Sequence, residues 1–180
     1  MGELGQWIMK LLEAGWDYIK IFTVIAAYEE GVLLRLGKPL RKGRSVLKPG
    51  FHLKFPILDY VYTAIVTTDT MEIKAVNITT LDGKTSTNGL IVKFRVSDIY
   101  KYLIETNEPR SNMHDLCRGI LSNYLEDCNW EDIRKKPTIN AIRKKIALEC
   151  DEMGVEVLDV YFSDKCLTRA IKLFSEGAVI

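Results

Sequence analysis

The residues through which this 180-residue chain could do chemistry are glycine-flanked cations, two histidines and four cysteines. Gly83-Lys84-Thr85 matches the close of a phosphate-binding loop, where backbone N–H groups cradle phosphate and the lysine neutralises it. That cradle needs a glycine five positions earlier, and Ile78 stands there. Gly37 and Gly43 are separated by five residues where four are needed, and Arg44 replaces the lysine. His52 and His114 lie in no HExxH pattern and near no cysteine pair, so they read as structural or exposed. Cys117, Cys128, Cys150 and Cys166 follow one another at intervals of 11, 22 and 16 residues with no CxxC, and the first three fall in apolar helical patterns. They read as reduced thiols rather than disulfides or zinc ligands. No serine has the flanking glycines of a nucleophile elbow. The spacing therefore assigns no catalytic residue, cofactor, metal ligand or small-molecule substrate.

The clearest local signal is charge. Lys38, Arg41, Lys42, Arg44 and Lys48 occur in one segment without an acidic residue. Over the whole chain 25 basic side chains face 24 acidic ones, so no global field draws the protein to a polyanion and any such binding is local. Cations of this kind meet anionic headgroups at about 1 kcal/mol each. They could also meet nucleic-acid phosphates, but the segment has no aromatic residue for stacking on bases, which disfavours nucleic acid. A solvated loop beside acidic neighbouring subunits is the third reading.

The periodicity sets out the elements that would hold these residues. Leu4, Trp7, Ile8, Leu11, Leu12, Ile19 and Phe22 share one helical stripe over residues 4–22, with Trp7 and Trp16 near its rims. Charges at Lys10, Glu13, Asp17 and Lys20 break it well short of the roughly 20 apolar residues of a spanning helix. The stripe can lie on a membrane or pack on protein, and its acidic polar face does not favour the membrane. Position 6 is Gln6, which gives no support to myristoylation. Short β-type segments follow at 24–36, 51–55, 59–68, 70–79 and 85–97, punctuated by Pro39, Gly43, Pro49-Gly50 and Pro56, with Asp82-Gly83 as a hairpin turn. The spacing then becomes helical. Tyr100, Leu103 and Ile104 share a face, and Met113, Leu116, Cys117, Ile120, Leu121, Tyr124, Leu125 and Cys128 form a long stripe. Pro137-Thr138 opens a helix with Ile139, Ile142, Ile146, Cys150 and Met153 inward, which Gly154 stops. Val155–Phe162 reads as a strand buried on both sides, before a last helical piece bearing Leu167, Ala170, Ile171 and Phe174. Strands first, helices next and one returning strand predict an α+β domain.

Six blocks in order resemble the stomatin, prohibitin, flotillin and HflK/C family, the SPFH or band 7 domain. They are Glu30-Gly31-Val32 with Leu36-Gly37-Lys38, Pro49-Gly50-Phe51-His52, Pro56-Ile57-Leu58-Asp59, Asp82-Gly83, Val92-Lys93-Phe94-Arg95-Val96 with Ser97-Asp98, and Gly154-Val155-Glu156-Val157-Leu158-Asp159-Val160. The resemblance covers about residues 24–164. It divides the chain into an amphipathic helix (1–23), the SPFH-like domain (24–164) and a short helix with an apolar tail (165–180).

The resemblance implies a non-enzymatic scaffold whose copies pack side by side into a ring or cage, at the cytoplasmic surface of a membrane. Partners would be further copies, membrane lipids or a membrane protein. Members commonly begin with a long apolar segment and continue into a coiled coil, whereas this sequence shows the charged stretch and ends at Ile180. A subunit of a soluble or viral ring is therefore the alternative. The expected contacts are the N-terminal stripe for membrane or subunit, the five cations for anions, and Leu167, Ile171, Phe174, Val179 and Ile180 for the next subunit.

Overall fold

The computed structural model describes residues 21–40, 45–133 and 135–168, together with Gln6. The expected N-terminal helix lies outside the described residues apart from Gln6, Ile21 and Phe22. The described chain is α+β, with antiparallel strands, then helices, then a returning strand. Its order is β1 (Phe22–Ile25), β2 (Glu29–Arg35), β3 (Lys38–Pro39), β4 (Val46–Leu47), β5 (Gly50–Leu53), β6 (Asp59–Ile65), β7 (Asp69–Thr79), β8 (Thr85–Val96), a π-helical turn (Lys101–Glu105), α1 (Pro109–Glu126), α2 (Trp130–Ile133), α3 (Lys136–Glu152) and β9 (Val155–Leu167).

The chain divides into two compact units. The first comprises Met1–Asp69, Arg95–Pro109 and Asp151–Glu156, the second Thr70–Phe94, Arg110–Cys150 and Val157–Ile180. In the first, β2 pairs along its whole length with β6, from Glu29 opposite Ile65 to Arg35 opposite Asp59. Its other edge takes β3 and β4. Buried Val32, Val96 and Ile99 form the core, with Leu34, Val46, Ala64 and Val66 packed against them. The expected strand 24–36 is two strands, because the chain turns at Ala26–Tyr28 and Glu29 N–H donates to the Ala26 carbonyl at 3.1 Å.

The helical segment expected around Tyr100 is a π turn. Asp98 Oδ1 accepts from Tyr100 N–H (3.0 Å) and Lys101 N–H (3.2 Å) at its start, and Thr106 N–H reaches back to the Lys101 carbonyl at its end. Gly154 holds this corner. It sits at φ +74, its carbonyl accepts from the N–H groups of both Ser97 and Asp98, and a Cβ there would collide with the Asp98 carbonyl.

In the second unit the sheet order is β7-β8-β9. Thr80 and Asp82 shape the β7–β8 hairpin: Thr80 Oγ1 donates to Asp82 Oδ1 (2.5 Å), Lys84 pairs with Asp82 at 2.7 Å, and Trp130 N–H donates to Asp82 Oδ1 at 3.3 Å. These bonds, the Lys84 one foremost, hold the Asp82 carboxyl down at about 2. On α1 the buried residues are Met113, Cys117, Leu121 and Leu125, the centre of the expected stripe, and Leu116, Ile120, Tyr124 and Cys128 flank it half-buried.

Within the expected strand 155–162, β9 buries Val155, Val157 and Val160 and exposes only Tyr161, while everything after Ser163 is exposed. It also runs through Leu167, where a helical piece was expected. Thr168 N–H donates to the Thr85 carbonyl at 2.8 Å and the Thr87 and Thr168 hydroxyls meet at 2.8 Å, so pairing with β8 holds this end extended.

Candidate interaction surface

β1 and β5 form a two-stranded ribbon in which Phe22 faces Leu53 and Val24 faces Phe51. Residues directly opposed in an antiparallel pair project to the same side, as do alternate residues of one strand, so all four share one face. Each is more than half exposed, from 54% for Phe22 to 72% for Val24, and the Phe22 and Phe51 rings touch with centroids 4.8 Å apart. On the opposite face Ile25 is buried, lying against Gly31. The ribbon thus turns its smaller apolar content inward and its larger content outward. Gly50 enters β5 at φ +138, His52 Nε2 donates to the Lys48 carbonyl at 2.6 Å, and Lys54 N–H donates to the Ile21 carbonyl at 2.8 Å.

Two turns of the same unit, one of them following β5 in the chain, carry further exposed apolar residues. Buried Asp59 organises them: it accepts both Arg35 Nε (2.8 Å) and Nη2 (3.0 Å), and its Oδ2 also accepts from Phe55 N–H at 2.9 Å. The Arg35 hydrogen bond is the main reason the Asp59 carboxyl lies below the usual carboxylate range, against the opposing effect of burial. The Arg35 guanidinium also lies over the Phe55 ring, 4.9 Å from its centroid. Leu36 N–H donates to the Leu58 carbonyl at 2.8 Å, tying the β2–β3 turn to the Pro56–Asp59 turn. At their tips Leu36 (φ +51) and Ile57 (φ +73) occupy left-handed backbone, at about 1–2 kcal/mol each. Both are more than 70% exposed, so this strain presents apolar side chains to the outside rather than burying them.

Sequence reasoning reached this surface only at Phe22, and placed it on a helical stripe; in the structure Phe22 is the first residue of β1, held by pairing with Leu53. Leu4, Trp7, Ile8, Leu11, Leu12, Trp16 and Ile19 lie outside the described residues. Of the cationic segment, Lys38 and Lys48 are exposed at β3 and just before β5, and Arg41, Lys42 and Arg44 lie outside the described residues. The segment is less a free loop than expected, because β3, β4 and the bond from Leu33 N–H to the Ser45 carbonyl (2.7 Å) tie it to β2. Leu167 closes β9, and Ile171, Phe174, Val179 and Ile180 lie outside the described residues. Val24, Leu36, Phe51, Leu53, Phe55 and Ile57 were missed as contact residues, although Phe51, Leu53 and Phe55 alternate with polar His52 and Lys54 directly after the Pro49-Gly50 turn. Among the described residues no cluster of histidine, cysteine and carboxylate could hold a metal ion, and no helix is long and apolar enough to cross a membrane.

The family model for the SPFH domain / Band 7 family matches residues 23–167. The chain belongs to this family. An uncharacterized protein of Methanocaldococcus jannaschii is 24% identical over 153 residues, covering 84% of this chain and 75% of that protein. The modulator of FtsH protease HflC of Escherichia coli is 32% identical over 92 residues, and the HflC protein of Buchnera aphidicola is 30% identical over 88. The matched stretch is about half of this chain but only 27% and 28% of those two HflC proteins. The family match extends over both compact units, from β1 to the end of β9.

Proposed function

We propose that this chain is a non-enzymatic SPFH scaffold that seats on a membrane surface through the outward face of the β1–β5 ribbon and packs laterally with further copies into a ring or cage. The observation that carries the membrane part is the contiguous set Phe22, Val24, Phe51 and Leu53 together with Phe55, Leu36 and Ile57 at two turns of the same unit, all more than half exposed. Apolar groups gathered on one face mark an interaction site, and moving each of these from water into an acyl boundary contributes about 1–2 kcal/mol. Lys38 and Lys48 are exposed cations of the same unit and suit anionic headgroups.

Lateral assembly is supported by family membership. The name of the HflC relatives, modulators of the FtsH protease, suggests a protease complex as the class of protein partner such a scaffold would gather. The test is flotation of the purified full chain with vesicles of neutral and anionic lipid, beside the double variant Phe51→Glu/Leu53→Glu. Parent protein that floats and variant protein that stays at the bottom with an unchanged thermal transition fit the proposal. Equal flotation of both, or none of either, removes the ribbon as the membrane seat. Native mass spectrometry of the parent chain addresses assembly separately, and a monomer with and without lipid would contradict the ring.

A further inference from the structure

Among the described residues, the sheet of the second unit is open along β9. In the order β7-β8-β9, β9 has β8 on one side, and no described strand borders the other. A cavity of 480 Å³ is lined there by six consecutive β9 residues, 160–165, and by Ile139 of α3. Successive strand residues point to opposite faces, so six in a row share one cavity only if it follows the margin of the strand. Ser163 belongs to that lining, and its Oγ is buried with no hydrogen-bond partner among the described residues. Val155–Leu167 holds neither proline nor glycine, so nothing in the sequence of β9 forbids a further strand. Two backbone groups are already taken by side chains: Arg143 Nη2 donates to the Leu158 carbonyl at 2.6 Å, and Val160 N–H donates to Asp159 Oδ1 at 2.9 Å. Pairing is therefore left to residues 161–167, a stretch of about 20 Å.

The same sheet supplies a complementary strand. β7 is its other margin, 11 residues long and also free of proline and glycine. It runs antiparallel to β8, since Thr80 N–H bonds the Lys84 carbonyl and, further along, the Thr87 hydroxyl donates to Asn77. So does β9: Thr168 N–H bonds the Thr85 carbonyl, and a Cβ on Gly89 would meet Ser163 Oγ and Asp164 Oδ2, so going forward along β8 means going backward along β9. β7 and β9 thus point the same way. They also share an outward face. Thr87, placed between buried Ser86 and Asn88, turns from the core and touches both Asn77 and Thr168. Glu72, Lys74, Asn77 and Thr79 are exposed on that side of β7, and exposed Cys166, two residues before Thr168, projects to it from β9.

We infer that β7 of a second copy docks against residues 161–167 of β9, joining the sheets of neighbouring copies edge to edge. The inference deepens the lateral packing proposed above and rests on it. The occupant is another copy because its β7 spans the open stretch and matches it in direction and in polar outward face. A copy related by rotation brings β7 beside β9 as a parallel pair, whose main-chain hydrogen bonds hold the contact. Each copy offers one β7 and one β9, so the contact is head-to-tail and repeats until a ring closes. Pairing of β9 with β9 would stop at a dimer.

Cys166 is a ready probe, an exposed thiol on the open stretch. The experiment introduces Glu72→Cys, Lys74→Cys, Asn77→Cys or Thr79→Cys singly into the full chain, oxidises each mildly with copper phenanthroline with and without vesicles, and resolves the products on a non-reducing denaturing gel. Native mass spectrometry of the same samples reports assembly. The expected result is a ladder beyond dimers from at least one β7 position, collapsed by dithiothreitol and lost when Cys166→Ser is added, at an unchanged thermal transition. The parent chain should give no ladder beyond dimers. Assembled protein with no ladder from any β7 position, or with Cys166–Cys166 dimers alone, would overturn the inference and leave lateral packing standing. Protein that stays a monomer with and without lipid would remove both.

Discussion

The two compact units use apolar residues in opposite ways. In the second, α1 and α3 bury Met113, Cys117, Leu121, Leu125, Ile142, Ile146 and Cys150, and even the thiols are sealed from water. In the first, the β1–β5 ribbon and two turns of the same unit leave seven large apolar side chains outside, two of them on left-handed backbone. A helical stripe is satisfied by the fold itself. A two-stranded ribbon leaves one face exposed among the described residues. The difference separates residues buried within the fold from exposed residues that the proposal assigns to a membrane surface.

The largest expected effect tests the sealed side. Leu121→Ala or Ile146→Ala removes a fully buried side chain and should cost about 2–5 kcal/mol by urea denaturation. Phe51→Ala should change stability by less than about 0.5 kcal/mol while weakening vesicle flotation. A Phe51 variant as unstable as the Leu121 variant would erase the contrast. Gly154→Ala comes next. Its left-handed backbone and the approach of the Asp98 carbonyl predict a loss above about 1 kcal/mol, read from the thermal transition.

Ile57→Gly sharpens the comparison in the other direction. Removing the β-branched side chain from φ +73 relieves strain, so stability should hold or rise by about 1 kcal/mol while flotation falls. Stability and flotation falling together would mean that Ile57 packs within the fold instead.

The smallest effect concerns the carboxylates. Asp59 and Asp82 ionise below their unfolded values, so their contribution is complete above the ordinary carboxylate range near 4 and is lost as pH falls through the folded value, toward about 2 for Asp82. Asp82→Asn should therefore flatten the decline of stability between about pH 4 and pH 2. An unchanged acid profile would show that its bonds to Lys84, Thr80 and Trp130 contribute little.

Much of this division was legible in the letters. The stripe from Met113 to Cys128 keeps helical spacing over four turns, and α1 buries its central line. Asp82-Gly83 marks the β7–β8 turn, because the chemistry of a tight turn is local. The break between β1 and β2 was not legible, since Ala26-Ala27-Tyr28 contains no glycine or proline and the turn is set by pairing with β5 and β6. Alternation of Phe51, Leu53 and Phe55 announces a face but not whether anything covers it. That depends on where distant strands end. Leu167 fits a helical stripe as well as a strand end, and only its neighbour's bond to Thr85 decides between them.

Amide hydrogen exchange of the full chain, with and without vesicles, tests the central claim most directly. The account predicts that lipid slows exchange at residues 22–25 and 50–58 and leaves α1 and α3 unchanged. Protection concentrated on α1 and α3, or absent from the ribbon while the protein is vesicle-bound, would contradict it.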